Sequence, residues 1–316
     1  MADKKHFLNK LNITCYRHSN SCNNLGIDVG KFGTDMDPSL SLKGIIETAE
    51  FNINQPIKKN LTVYTSYLIR TVLTAILLFG TRTIKVLELN VSPYLNEQRT
   101  EVKEGCYPES PNSMMIRVGK FFDTLAKLKK TIKLSESIVV KFPRPIEKAD
   151  EIECFIYKKA APNKKHELYF VGLYSDYLKN DISVFTRKKL EDTISKPRNA
   201  IDKVAVGDIF KFISWIKDGK DCYNRDLLNL DIIVVSHSET MTKFVKDHAS
   251  NNAKYDHFIY ENCSSFKIKK PFGQKMRIIS RRGIISPDVK VWQKYEKTHR
   301  NISLCGKYRT RKTRKA

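Results

Sequence analysis

Arg17 and His18 stand side by side in "NITCYRHSNSCNN" (12–24), where the β-branched and apolar run Ile13 to Tyr16 gives way to a string of Ser and Asn. Three other segments deliver polar side chains in the same way. Arg70 follows the run "LTVYTS" (61–66), Glu97 follows "TIKVLEL" (83–89), and His237 ends "LDIIVVSH" (230–237). Two guanidinium forks can hold the non-bridging oxygens of a phosphoryl group. A neutral imidazole can attack phosphorus in line and form a phosphohistidine that water later cleaves. The charges of Arg17 and Arg70 disfavour an imidazolium at His18 and so keep that nucleophile unprotonated. A protonated imidazole at His237 can stabilise charge on the phosphoryl oxygens. A carboxyl at Glu97 can protonate the leaving alkoxide and then deprotonate the incoming water; Glu88 and Glu101 are the alternatives for that role. No step needs a metal ion or a cofactor, and none is expected.

The elements that must position these groups read as an α/β protein. The four runs, the first over residues 12–16, have the composition of buried strands, and helical patterns lie between them. "DPSLSLKGIIETAEFNI" (37–53) opens with Asp-Pro and a capping Ser, then spaces apolar residues by three and four. The pattern over 67–79 is apolar nearly all round, and Ser66 is placed to cap it. A third helix, over 206–219, stops at a glycine and leads into the strand at 230. An open α/β sheet gathers its site beyond the strand ends, where Arg17, His18, Arg70, Glu97 and His237 all fall. Residues 98–200 differ in character. They hold a basic amphipathic helix pattern (116–134), with a stripe of Val118, Phe121, Phe122, Leu125 and Leu128, and a hairpin pattern (152–174). They read as an insertion or cap between two halves of a core formed by 1–97 and 201–270, followed by a basic C-terminal extension over 271–316.

The chain of 316 residues suits one large domain or two modest ones. Its 57 Lys and Arg against 34 acids give a net charge of +23, which favours anionic partners and says nothing of fold. The last eleven residues, "GKYRTRKTRKA" (306–316), carry six of those bases and no acid. They read as a disordered tail suited to weak contact with nucleic acid or an acidic surface. Seven widely spaced cysteines without a Cys-x-x-Cys pair read as reduced thiols, against a disulfide framework or a zinc knuckle. The N-terminus lacks a signal-peptide core and the longest apolar stretch, 71–80, is too short to span a membrane. A cytoplasmic protein is therefore expected, or a nuclear one through the tail.

In this order and spacing the motifs resemble the histidine phosphatase superfamily, the phosphoglycerate-mutase-like family. "RHSNSCNN" resembles its Arg-His-Gly signature, with Ser21 and Asn24 at the family spacing. "DPSLSLKG" (37–44), "TSYLIRTVLTA" with Ser66, Arg70, Thr74 and Ala75, "LNE" (95–97), "VVSH" ending at His237 and "YENCSS" (260–265) follow in family order. The resemblance implies a three-layer α/β/α sandwich around a mostly parallel sheet. It implies that His18 is the phosphorylated nucleophile, that Arg17, Arg70, His237 and Asn24 bind the phosphoryl group, and that Glu97 is the general acid and base. The expected partner is a phosphorylated, anionic substrate, either a small molecule or a phosphoprotein. Two positions depart from the pattern: Ser19 and Ser238 stand where the family carries glycine. The tryptophan-containing segment of glycolytic mutases is absent after Asn24, which favours a phosphatase. The other readings are a phosphomutase and a catalytically silent member that binds phosphorylated protein or nucleic acid.

Overall fold

The computed structural model describes residues 12–26, 37–51, 53, 55–97, 111–128, 132–145, 152–158, 167–173, 207–217, 231–248, 261–269, 277–281, 283–284 and 288–305. The first strand, β1 (Asn12–Arg17), is buried at Ile13, Cys15 and Tyr16, and its neighbours are β7 (Asp231–Ser236) and β8 (Ser265–Lys269). Further strands are β2 (Lys58–Thr65), β3 (Thr83–Val91), β4 (Ser137–Pro145), β5 (Ile152–Lys158), β6 (Glu167–Leu173) and β9 (Arg277–Arg281). They form one sheet in the order β6-β5-β4-β3-β2-β7-β1-β8-β9. The contiguous strands β4, β3, β2, β7 and β1 run parallel, and the flanks β5–β6 and β8–β9 are antiparallel additions. Parallel strands are covered on both faces by their crossover helices, so they are apolar throughout; β7, "DIIVVS", is buried from its second residue on.

Alternation along the strands divides the core in two. Val63, Leu87, Leu89, Ile138, Val140, Ile233 and Val235 face helices α1 (Leu42–Glu50), α2 (Ile69–Gly80) and α3 (Pro111–Lys127). On the opposite face Ile13, Cys15, Tyr64, Ile232 and Val234 meet α4 (Ile209–Lys217) and α5 (Ser238–His248). The expected three-layer sandwich is thus present. All twelve residues of α2 are buried, as its all-round apolar pattern requires. On α3 the stripe of Val118, Phe121 and Phe122 is buried, with Leu125 and Leu128 packed beside it. Lys120 and Lys127 lie exposed on the opposite side.

The expected helix over 37–53 is shorter, because its first five residues are used elsewhere. Asp37 turns to the start of α2, Ser39 O accepts from Cys22 N at 2.9 Å, Leu40 bridges to Ser21, and Ser41 caps α1 by accepting from Gly44 N at 3.0 Å. The region 98–200, read from sequence as an insertion, adds β4 to β3 in parallel and α3 to one core face; the hairpin forms as β5–β6. In the region after 270, β9 and α6 (Val289–Thr298) also join the fold. Gln293 Nε2 donates to Leu25 O at 2.5 Å, and the buried Glu296 carboxylate accepts from Leu42 N and from Ser303 Oγ. The tail 306–316 lies outside the described residues.

The expectation of seven reduced thiols needs correction. Cys22 and Cys305, 283 residues apart in sequence, form a disulfide that ties the 3-10 turn Cys22–Leu25 to the segment after α6. No local spacing announces a pair separated so widely, and disulfides of this kind persist in oxidising surroundings. Cys15 and Cys263 are free and buried.

Two predictions follow from this packing. Reductant is expected to lower the melting temperature of the wild-type protein by several degrees, with ~2–4 kcal/mol lost, and to leave a Cys305→Ser variant unaffected. A Cβ on Gly44 would sit 2.1 Å from Asn20 O. Gly44→Ala is therefore expected to cost about 1–3 kcal/mol in chemical denaturation, since backbone cannot yield as a side chain does.

Candidate active site

β1, β2 and β7 run in the same direction, so their C-terminal ends open on one edge of the sheet. His18 follows β1 directly and its N–H donates to Ser236 O at 2.9 Å, which draws the ends of β1 and β7 together. His237 follows β7, and the two imidazoles lie with ring centroids 5.1 Å apart. Arg70 enters from the first turn of α2, and Glu97 from the segment beyond β3. His18, Arg70 and His237 are 5%, 4% and 0% exposed, so the pocket floor is shielded from water.

The ring of His18 is fixed by hydrogen bonds at both nitrogens. Nδ1 lies 2.7 Å from Ser19 O, an acceptor alone, so Nδ1 carries the proton. Nε2 then has its lone pair toward the pocket, where Arg70 Nε donates to it at 3.3 Å. The His18 pKa is held well below the ordinary 6.5, first by burial, then by the charges of Arg70 and Arg17. The sequence pointed to the two charges; burial, the larger cause, comes from the tertiary structure.

The nitrogens of Arg70 meet three partners. Besides Nε on His18, Nη2 donates to Glu97 Oε2 at 2.6 Å, and Nη1 lies 3.6 Å from Asp37 Oδ1. Glu97 is 20% exposed at its side chain, the most solvent-reached of Arg70's partners. Its segment is held from several sides: Ser236 Oγ donates to Leu95 O at 2.7 Å, Thr240 Oγ1 to Asn96 O at 2.5 Å, and Tyr67 N to Asn96 Oδ1 at 3.0 Å. Glu88, an alternative to Glu97, instead forms a 2.8 Å ion pair with Lys141 within the sheet. Glu101 lies outside the described residues.

Arg17 ends β1, its N–H donating to Ser264 O at 2.9 Å, and its charge reaches His18. Asn24 is exposed, and its Oδ1 accepts from Ser21 N at 2.9 Å and Ser21 Oγ at 3.0 Å, fastening the turn after the His18 loop. The serines in place of glycine are accommodated. Among the described residues Cys263 is the one non-glycine with positive φ, so neither Ser19 nor Ser238 sits where only glycine fits. Ser19 turns its hydroxyl toward α1, donating to Gly44 O at 3.2 Å and accepting from Thr48 Oγ1 at 2.5 Å. Burial raises the Cys263 thiol to about 12, so this side chain stays a neutral thiol.

Sequence reasoning gave no site role to Ser66, Asp37 or Arg117. Ser66 was expected to cap a helix from Tyr67, but α2 begins at Ile69. Its Oγ accepts from Leu68 N at 3.0 Å and lies 2.9 Å from His237 Nε2, so it orients that ring. Asp37 accepts from Ile69 N at 3.0 and 2.9 Å with its two oxygens, taking over the cap. Arg117 reaches across from α3 to Asp37, with Nη2 donating to the backbone O at 2.7 Å and Nη1 3.6 Å from Oδ2. The Asp at the head of "DPSLSLKG" was the one available signal; nothing in the pattern around Arg117 separates it from the other bases of α3.

No protein-family model matches the sequence, and no curated protein does. Among solved structures the chain is similar to an Escherichia coli protein described as an α-ribazole-5′-P phosphatase, at 14% identity over 88% of this chain and 100% of that one, with a TM-score of 0.36. It is also similar to a mycobacterial glucosyl-3-phosphoglycerate phosphatase, at 13% identity over 87% and 99%, with a TM-score of 0.35. A third is an Entamoeba histolytica phosphoserine phosphatase in complex with 3-phosphoglyceric acid, at 13% identity over 82% and 90%, with a TM-score of 0.29. Overlaps this loose carry no argument about the reaction, which rests on the geometry of the pocket. In the order of its motifs, and in their meeting at one edge of an α/β/α sheet, the chain resembles the histidine phosphatase superfamily.

Proposed function

We propose that this protein is a phosphomonoester hydrolase that works through a phosphohistidine at His18. The observation that carries the reading is the state of the His18 ring: a buried neutral imidazole, its Nδ1 proton committed to Ser19 O and its Nε2 lone pair turned to Arg70. An imidazole with no other task gains nothing from a buried place against a guanidinium, which raises the cost of protonating it. A phosphoryl group entering at Arg70 would meet that lone pair in line.

In this reading Arg17, Arg70 and His237 hold the phosphoryl oxygens, with Asn24 at the rim. A substrate that binds as its monoanion passes its proton to the Glu97 carboxylate. His18 Nε2 attacks phosphorus, the P–O bond to the leaving group breaks, and Glu97 gives that proton to the departing alkoxide. The carboxylate so formed takes a proton from water, whose oxygen attacks phosphorus, breaks the P–N bond and regenerates His18 with release of phosphate. Glu97 accepts from Arg70 Nη2 at 2.6 Å, so a phosphoryl group that takes this nitrogen displaces the carboxylate toward the leaving-group side. Ser66 holds His237 for its role by the contact at Nε2. The substrate is anionic and phosphorylated, as the net charge of +23 favours.

His18→Ala is expected to lower hydrolysis of an aryl phosphate, with EDTA present, by at least about a thousandfold. An acid-labile phosphoenzyme should be trapped from the wild type and not from the variant; equal turnover by both proteins would remove the proposal. His18 should also hold a constant ring-proton NMR shift from pH 8 down through 6.5, where an ordinary histidine titrates. Because its folded pKa lies below the unfolded value, the stabilisation from keeping it neutral is present above about pH 6.5. That stabilisation falls away as pH drops below this value. Acid unfolding of His18→Gln should accordingly show a shallower loss of stability below pH 6.5 than the wild type.

A further inference from the structure

Asp37 is 1% exposed, and its carboxylate is shared between two guanidinium groups. Arg70 lies on one side at 3.6 Å, Arg117 on the other at 3.6 Å, and the Ile69 N–H at the start of α2 closes the third. The two carboxylates on Arg70 differ in how firmly they are held. Glu97 is partly exposed and comes from a loop, so it can swing away when an anion arrives. Asp37 is locked by the backbone of α2 and by Arg117, whose Nη2 also holds the Asp37 carbonyl. It remains beside Arg70 when the pocket is filled.

We propose that Asp37 is the fixed counter-charge of the phosphoryl pocket, setting how tightly phosphate is held and how readily it leaves, with Arg117 of α3 governing how much of that charge opposes the anion. This rests on the reading of the pocket as a phosphoryl site. Two effects of removing the charge compete. Arg70 would lose one brace, which would weaken anion binding. The anion would lose a negative neighbour one guanidinium away, which would strengthen it. Arg70 keeps its contact with His18, and an Asn at position 37 keeps one oxygen to accept from the Ile69 N–H. The charge effect therefore prevails, and at the effective dielectric of a protein interior a unit charge at such a distance from a phosphate dianion changes affinity by roughly tenfold or more. The carboxylate thus trades ground-state grip for product release, which is useful in a pocket carrying Arg17, Arg70 and His237 at once.

The test is calorimetric titration of inorganic phosphate into the full chain at one ionic strength, for the wild type and for Asp37→Asn, Arg117→Gln and Arg70→Gln. Asp37→Asn should bind phosphate about tenfold more tightly, with kcat and KM both lowered in the aryl phosphate assay. Arg117→Gln should bind phosphate more weakly, and Arg70→Gln should lose it. A helix-capping role alone would leave the affinity of Asp37→Asn unchanged, and that result, or a weaker one, overturns the proposal while the loss in Arg70→Gln keeps the phosphoryl reading. If Asp37→Asn does not fold, Arg117→Gln decides, and unaltered affinity there overturns the proposal. Phosphate binding absent from the wild type, or equal in Arg70→Gln, overturns the phosphoryl reading and this inference with it.

Discussion

A guanidinium that is 4% exposed persists only among counter-groups, and Arg70 has hydrogen bonds to His18 and Glu97 and the charge of Asp37 beside it. Each partner comes from a different part of the chain. His18 follows β1, Glu97 follows β3, and Asp37 precedes α1. The parallel centre of the sheet makes this convergence achievable, because it sends the ends of β1, β2 and β7 to the same edge. The hydrophobic layers on the two faces supply the stability, and the arrangement around one buried arginine determines where the loops must run.

The loop after His18 needs a rigid wall behind it, and α1 provides that wall. Ser41 caps α1 and donates to Asn20 Oδ1 at 2.8 Å, Gly44 leaves room for Asn20 O, and Thr48 reaches the Ser19 hydroxyl. The C-terminal segment braces α1 through Glu296 at Leu42 N, and the turn Cys22–Leu25 through the Cys22–Cys305 bond. Residues remote in sequence from the site therefore fix the backbone that carries His18.

Much of this was legible beforehand. The strands at 12–16, 61–66, 83–89 and 230–237 form within a few residues of their expected bounds, since β-branched runs between helical patterns have few other places to go. His18, Arg70, Glu97 and His237 meet because each follows a strand or opens the helix after one, and strand ends in a parallel sheet share an edge. Less was legible where long-range contacts decide. Ser66 faces His237, while the Ile69 N–H at the start of α2 is met by Asp37, 32 residues before it. The segments β4–β6 and β9 looked peripheral because their patterns carry no record of which strand they pair with.

The sequence by itself determined the alternation that puts helices on both faces of a sheet and the types of residue at its strand ends. These are local properties, written in period and composition. Only the tertiary structure decided the ring state of His18, the sharing of Asp37 between Arg70 and Arg117, and the pairing of Cys22 with Cys305. Burial, counter-charge and close approach between segments depend on distances that no spacing along the chain encodes. The residue types at the strand ends were therefore legible in the sequence, and their geometry was set by the packing around them.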